Sequence, residues 1–157
     1  MTVNLGTAGT STNGTDYGSL SSITVSAGDT TGTASFTPTD DSIYEGNETA
    51  VISISSVSGA DAAESGSQSV TITITENESS PTITLATSAT SIAENAGTSL
   101  TLTATSSVAA DEDITVTIGT GGGGTEGTDY STISDITISA GATTGTASFT
   151  PTDDNVY

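Results

Sequence analysis

The segment TTGTASFTPTDD occupies residues 30–41 and returns without a single change at residues 143–154. Working outward from this segment, residues 2–44 align with residues 115–157 without a gap, at a constant offset of 113, and most aligned positions are identical. Self-similarity at a fixed period is the sequence signature of a tandem array, so the chain is expected to cover about 1.4 periods of one repeating unit.

A short polar link separates the two copies of the repeat. Residues 76–81 read ENESSP, and the proline that ends this stretch resists strand pairing. We therefore expect residues 1–78 to be the C-terminal part of one repeat, residues 79–81 to be a linker, and residues 82–157 to be the N-terminal part of the next. We interpret the start at Met1 as an added residue or the arbitrary edge of a longer chain.

The secondary structure indicated by the sequence is β throughout. Residues 70–75 read VTITIT, which places Val70, Ile72 and Ile74 on one face of a strand and three threonines on the other. The same alternation in residues 49–55 predicts a strand in which every second residue is buried and Val51 faces solvent. Further strands are predicted at residues 82–85, 100–105, 114–118, 136–138 and 146–149.

Strands with one apolar face must bury that face against a second layer. About seven short antiparallel strands in one period of the repeat is typical of an immunoglobulin-like β-sandwich. A closed barrel is the alternative, but repeats joined by short links favour a sandwich. The predicted fold is therefore all-β, an immunoglobulin-like antiparallel β-sandwich in tandem repeat.

The composition excludes several classes of chemistry. The 157 residues include no Lys, Arg, His or Cys, and 19 acidic residues give a formal net charge of −19. Without these side chains the chain cannot build a Ser-His or Cys-His nucleophile, and soft metal ions lose their nitrogen and sulfur ligands. Nucleic acid and anionic membrane surfaces would repel it. The remaining chemistry is that of oxygen ligands, which suit hard cations such as calcium.

Two turns and one loop resemble a known family motif. The turns are GTDY at residues 14–17 and at residues 127–130, and the loop is DDSIYEGNE at residues 40–48. Together they resemble the Calx-β motif, in which a Gly-x-Asp-Tyr turn precedes an Asp-Asp-x-x-Tyr-Glu-x-x-Glu loop. Residues 91–97, SIAENAG, are similar to the first strand of that family. The resemblance covers essentially the whole chain and implies the Calx-β repeats of large bacterial surface and adhesion proteins.

The resemblance also implies a calcium site, built in that family from acidic loops at one end of the sandwich, near the junction with the next domain. Carried over position by position, it implicates carboxylates from both copies and from the closing acidic run: Asp16, Asp40, Asp41, Glu45, Glu48, Glu76, Glu78, Glu94, Asp129, Asp153 and Asp154. Bound calcium would relieve the repulsion among these charges, so we expect it to raise the melting temperature and to stiffen the inter-repeat junction.

The alternative for these acids is that they are ordinary exposed turns that bind nothing. We expect the isolated acids to be solvated loop charges that keep the array soluble. They are Asp29, Asp61, Glu64, Asp111, Glu112, Asp113, Glu126 and Asp135.

The function expected from the sequence is a structural or adhesive repeat of an extracellular, cell-surface or filament protein, and not an enzyme. Its partners would be neighbouring repeats or like chains, and cell-surface glycans or proteins, with no nucleic acid and no membrane insertion. A glycan-binding adhesin module is one alternative. Another is a calcium-independent filament subunit assembled by strand donation, because residues 45–78 contain strands that residues 82–157 lack.

Overall fold

The computed structural model describes residues 1–154 and is almost entirely β-structure. The last three residues of the second predicted repeat lie outside the described residues. A single 3-10 turn at Glu94–Ala96 accompanies the strands in the described range. In chain order the strands are β1 (Thr2–Gly9), β2 (Ile23–Thr24), β3 (Ile43–Tyr44), β4 (Glu48–Ser58), β5 (Ser69–Ile74), β6 (Ile83–Thr87), β7 (Leu100–Ser106), β8 (Ala109–Ala110), β9 (Ile114–Val116), β10 (Ile136–Ile138) and β11 (Thr144–Phe149).

The chain forms two compact units. Unit 1 consists of Met1–Asp41 and Gly46–Asn77, and unit 2 consists of Ser42–Glu45 and the chain from Glu78 onward. No helix in the part of the chain that the structure describes is long and apolar enough to cross a membrane.

Unit 1 is built on a four-stranded antiparallel sheet in the order β2-β1-β4-β5. Cross-strand pairs follow the predicted alternation, since Ala50 lies opposite Ile72 and Ile52 lies opposite Val70. Ala50 is completely buried, whereas Val70 is 60% exposed. Val51, predicted on the solvent side, is partly buried.

Unit 2 has two layers, which confirms the sandwich predicted from the alternating strands. One layer is the antiparallel sheet β11-β7-β6, and the other is the antiparallel pair β10-β9. Ala104, Ile136, Ile138 and Ala147 are buried between them, and Leu102 packs against this core. The apolar faces of the two layers are therefore buried against each other, as strands with one apolar face require.

One pairing departs from the purely antiparallel architecture expected from the sequence. Strands β3 and β8 run parallel, with Ile43 opposite Ala109 and Tyr44 opposite Ala110. Each strand contributes only two residues, too few for alternation to indicate a strand. This pairing joins Ser42–Glu45 to unit 2.

The 113-residue recurrence is reproduced in the structure. Val3 pairs with Ile23, and at the same places in the second copy Val116 pairs with Ile136. The Tyr17 and Phe36 rings stack with centroids 4.7 Å apart. Their counterparts in the second copy stack with centroids 4.9 Å apart, and the interplanar angle is 29° in both pairs. The repeat in sequence is thus a repeat in register and in ring packing.

One repeated segment adopts different secondary structure in the two units. The hexapeptide TGTASF at residues 144–149 is strand β11 and pairs along its whole length with β7. The identical hexapeptide at residues 31–36 belongs to no strand. Its environment is also more open, because Ile23 and Ala34 are only partly buried whereas their counterparts Ile136 and Ala147 are buried.

Candidate cation site in the first repeat

The two GTDY turns hold an aspartate in the same way. Asp16 Oδ2 accepts a hydrogen bond of 2.5 Å from the Thr12 backbone N–H, and the Asp16 N–H donates to the Thr12 carbonyl at 3.0 Å. In the second copy Asp129 Oδ2 accepts an equally short bond from the Thr125 N–H. A side chain that bonds to its own turn in this manner is the usual reason for Asp at such a position.

The tyrosine that follows each aspartate anchors its turn to the protein interior. Tyr17 is completely buried and forms an isolated antiparallel bridge with Pro38. The Thr39 N–H donates to the Asp16 carbonyl at 2.9 Å, which ties the turn to the start of the acidic loop. The turn that carries Asp16 is therefore fixed by backbone hydrogen bonds and by the burial of the neighbouring Tyr17.

The acidic loop that follows is tied to the end of β5. The Gly46 N–H donates to Glu76 Oε2 at 2.7 Å, and the Glu76 N–H donates to Asn47 Oδ1 at 2.9 Å. Glu48 is the first residue of β4 and lies opposite Ile74, and its Oε2 atom is buried. These bonds and the β4-β5 ladder fix the backbone from which the glutamates project.

Two of the carboxylates predicted from the sequence come together within unit 1. One oxygen of Asp16 and one of Glu48 lie within 4.8 Å of each other, and both residues are partly buried. Partial burial reduces the screening of their mutual repulsion, and a hard cation that takes oxygen ligands would relieve it. The group therefore has the ligand type and the spacing that suit calcium.

Two other predicted ligands connect loops in unit 1. Asp40 Oδ1 accepts a hydrogen bond of 2.9 Å from Asn77 Nδ2. Glu76 Oε1 accepts one of 2.9 Å from the Asn77 N–H, in addition to its bond to Gly46. Within residues 1–77 of unit 1, the structure does not bring Asp40, Glu76 or Asp41 together with Asp16 and Glu48. The other predicted ligands belong to unit 2, and they are Glu45, Glu78, Glu94, Asp129, Asp153 and Asp154.

Some acids expected to be solvated also accept hydrogen bonds from the backbone. Glu126 accepts from the Ile133 N–H at 2.9 Å, and Asp113 accepts from the Ala140 N–H at 2.8 Å. Asp135 accepts from the Ile118 N–H at 3.1 Å. Asp113 and Asp135 are exposed, as expected of solvated charges, whereas Glu126 is partly buried. The alternation of the sequence did not indicate these bonds, because each joins a side chain to the backbone of a different segment. The loop-tying amides of Asn47 and Asn77 were missed for the same reason.

Comparison with known proteins identifies one family. The family model described as Calx-beta domain matches the chain twice, over residues 1–78 and over residues 76–157. No curated protein and no solved structure matches the chain.

Proposed function

The chain belongs to the Calx-beta domain family, and from this premise we propose that it is a structural repeat of an extracellular surface protein or filament whose first acidic loop binds calcium. The structural role is supported by the strand register and the ring stacking, which are the same in both copies. A segment repeated with this fidelity suits a spacer, in which every copy has the same mechanical task.

The composition supports the same role. Calx-beta is a non-catalytic domain family, and the chain contains no His, Cys or Lys from which a nucleophile and base could be made. Its net charge of −19 would keep an array extended and soluble through self-repulsion.

A glycan-binding platform fits the structure less well. Such a platform needs exposed aromatic rings, but Tyr17 and Tyr130 are buried and each is stacked on a phenylalanine. We therefore assign the partners of this segment to neighbouring repeats.

We expect calcium to bind at the Asp16 and Glu48 carboxylates of unit 1. Calcium at about 100 times its dissociation constant would stabilise the folded state by about 2.7 kcal/mol. In a domain of this size, stabilisation of that order raises Tm by about 10 °C or more. We expect calorimetry to show this rise with calcium and its loss with a chelator.

The Glu48→Gln substitution should abolish most of the calcium-induced rise, because it removes a ligand charge while keeping the side-chain shape. The matched control is Asp129→Asn, which alters the equivalent turn bond in the second copy without touching Asp16 or Glu48. Its calcium response should match that of the unsubstituted chain. An unchanged Tm in calcium, or an equal response from Glu48→Gln, would refute the calcium site and leave the structural role standing.

The surface location is tested separately. We expect protease added outside intact source cells to digest this segment, whereas a cytoplasmic marker protein stays intact. Digestion only after lysis would contradict an extracellular array.

A further inference from the structure

Three asparagines of the chain lie in the Asn-x-Ser/Thr pattern of an N-glycosylation acceptor. The three segments are NGT at residues 13–15, NET at residues 47–49 and NES at residues 77–79. Their side chains differ in what they contact. We propose that Asn13 is a glycosylation site and that Asn47 and Asn77 stay unmodified in the folded chain.

The first acceptor pattern is open to solvent. Asn13, Gly14 and Thr15 are all exposed. Within the part of the chain that the structure describes, neither the Asn13 nor the Thr15 side chain forms a hydrogen bond to the protein. The two polar groups that define the pattern, an amide and a hydroxyl two residues later, are therefore both accessible to a second molecule.

The backbone fixes this turn without using those two side chains. The Gly14 N–H donates to the Tyr17 carbonyl at 2.8 Å, and the Thr15 N–H donates to the Thr12 carbonyl at 3.2 Å. The same two bonds form in the second copy. Units 1 and 2 contain different parts of the repeat, yet the glycine and the threonine of the turn are exposed in both. Exposure is thus a property of the turn itself.

The second copy has an acid in the place of Asn13. Glu126 is partly buried, and its Oε1 accepts a hydrogen bond of 2.9 Å from the Ile133 N–H. Its Oε2 accepts one of 3.1 Å from the Thr120 hydroxyl. The shorter Asn13 side chain makes no such contact in the described residues, although the turn around it has the same backbone bonds. Only the first copy therefore presents a free amide at this position.

The acceptor pattern at residues 47–49 is held within the fold. Asn47 Oδ1 accepts a hydrogen bond of 2.9 Å from the Glu76 N–H. Thr49 belongs to β4 and lies opposite Thr73, and its N–H donates to Thr10 Oγ1 at 2.8 Å. An enzyme that reads both the asparagine and the threonine would have to open the start of β4, which costs the free energy of local unfolding.

The acceptor pattern at residues 77–79 is restrained at the reacting atom. Asn77 Nδ2 donates a hydrogen bond of 2.9 Å to Asp40 Oδ1. Hydrogen bonds to an ionised carboxylate are stronger than those between neutral groups, so this amide nitrogen is less available than that of Asn13.

The reaction replaces one hydrogen atom of the Asn13 amide with a sugar. The donor class is a sugar whose anomeric carbon is activated as a diphosphate ester. Asn13 Nδ2 forms a bond to the anomeric carbon, and the bond between that carbon and the diphosphate oxygen breaks. The diphosphate leaves with the electron pair, and the amide nitrogen releases one proton. The chain contributes only the exposed acceptor.

The test is glycopeptide mass spectrometry of the full chain purified from its source cells. We expect the peptide that contains Asn13 to carry a mass increase of whole sugar residues, and the peptides that contain Asn47 and Asn77 to carry none. Thr15→Val should abolish the increase, because it removes the hydroxyl of the pattern and keeps the side-chain shape. Thr15→Ser should retain it.

The second copy supplies a matched gain-of-function variant. Glu126→Asn creates an Asn-Gly-Thr pattern in a turn with the same backbone bonds. We expect this variant to carry a second sugar modification, at position 126, in addition to that at Asn13.

Four results would overturn the proposal. They are an unmodified Asn13, modification of Asn47 or Asn77 to the same extent as Asn13, a mass increase at Asn13 that persists in Thr15→Val, and no second modification in Glu126→Asn. None of these results depends on calcium, so the proposal can fail while the cation site stands.

Discussion

Replacing Ile136 with alanine is expected to lower the free energy of unfolding of unit 2 by about 3 kcal/mol. Ile136 is completely buried in the core between the two layers, next to Ala104 and Ala147. Truncation removes three carbon atoms from that core and leaves a cavity, because a close-packed interior relaxes only in part.

The chain provides a matched control at the equivalent position. Ile23 occupies the same register in unit 1 but is only partly buried. Ile23→Ala should therefore lower the free energy of unfolding of unit 1 by about 1 kcal/mol, since less apolar area is lost from the interior. Hydrogen exchange of slowly exchanging amides in each unit gives both values. Equal losses would contradict the difference in packing between the units.

The Gly145→Ala substitution is expected to destabilise unit 2 by about 3 kcal/mol. The new Cβ atom would lie 2.3 Å from the Thr137 carbonyl oxygen and 2.8 Å from Ile136 Cγ2. Because the closest atom belongs to the backbone, the clash cannot be relieved by rotation of a side chain. The β10 and β11 segments would have to move apart and open the core.

A nearby glycine supplies the control for this prediction. A Cβ atom added to Gly119 meets nothing within 4 Å. Gly119→Ala should therefore change the free energy of unfolding by no more than about 0.5 kcal/mol. Urea unfolding monitored by circular dichroism measures both variants. Similar midpoints for the two variants would show that the approach of Gly145 to the Thr137 carbonyl is not required for the fold.

The strands and the two-layer arrangement could be predicted because the alternation of apolar and polar residues that specifies each strand lies within that strand. Alternation in residues 136–138 gives both the strand and its buried face, and β10 lies there. Alternation in residues 70–75 gives strand β5, but its apolar face is only partly covered, and Val70 is 60% exposed. The parallel pairing of β3 with β8 could not be predicted in this way. Its two-residue strands carry no periodic signal, and their pairing depends on segments far apart in sequence.

The same distinction holds for the acidic residues. The motif indicated Asp16 and Glu48, and the structure brings one oxygen of each within 4.8 Å of the other. It could not indicate that Asp40 bonds to the Asn77 amide, because that contact depends on how two loops meet after folding. Residues 31–36 show most clearly that local sequence does not determine secondary structure, since an identical hexapeptide forms a strand elsewhere in the same chain. Here the pairing partner, and not the local sequence, determines the secondary structure.

The most direct test of this dependence on the partner strand is amide hydrogen exchange of the free chain. The exchange rate is measured residue by residue in both copies of TGTASF. The structure predicts slow exchange at alternate amides of residues 144–149, which pair with β7, and fast exchange throughout residues 31–36. Equal protection of the two hexapeptides in dilute solution would contradict the account, because the same six residues would then form a strand with or without β7.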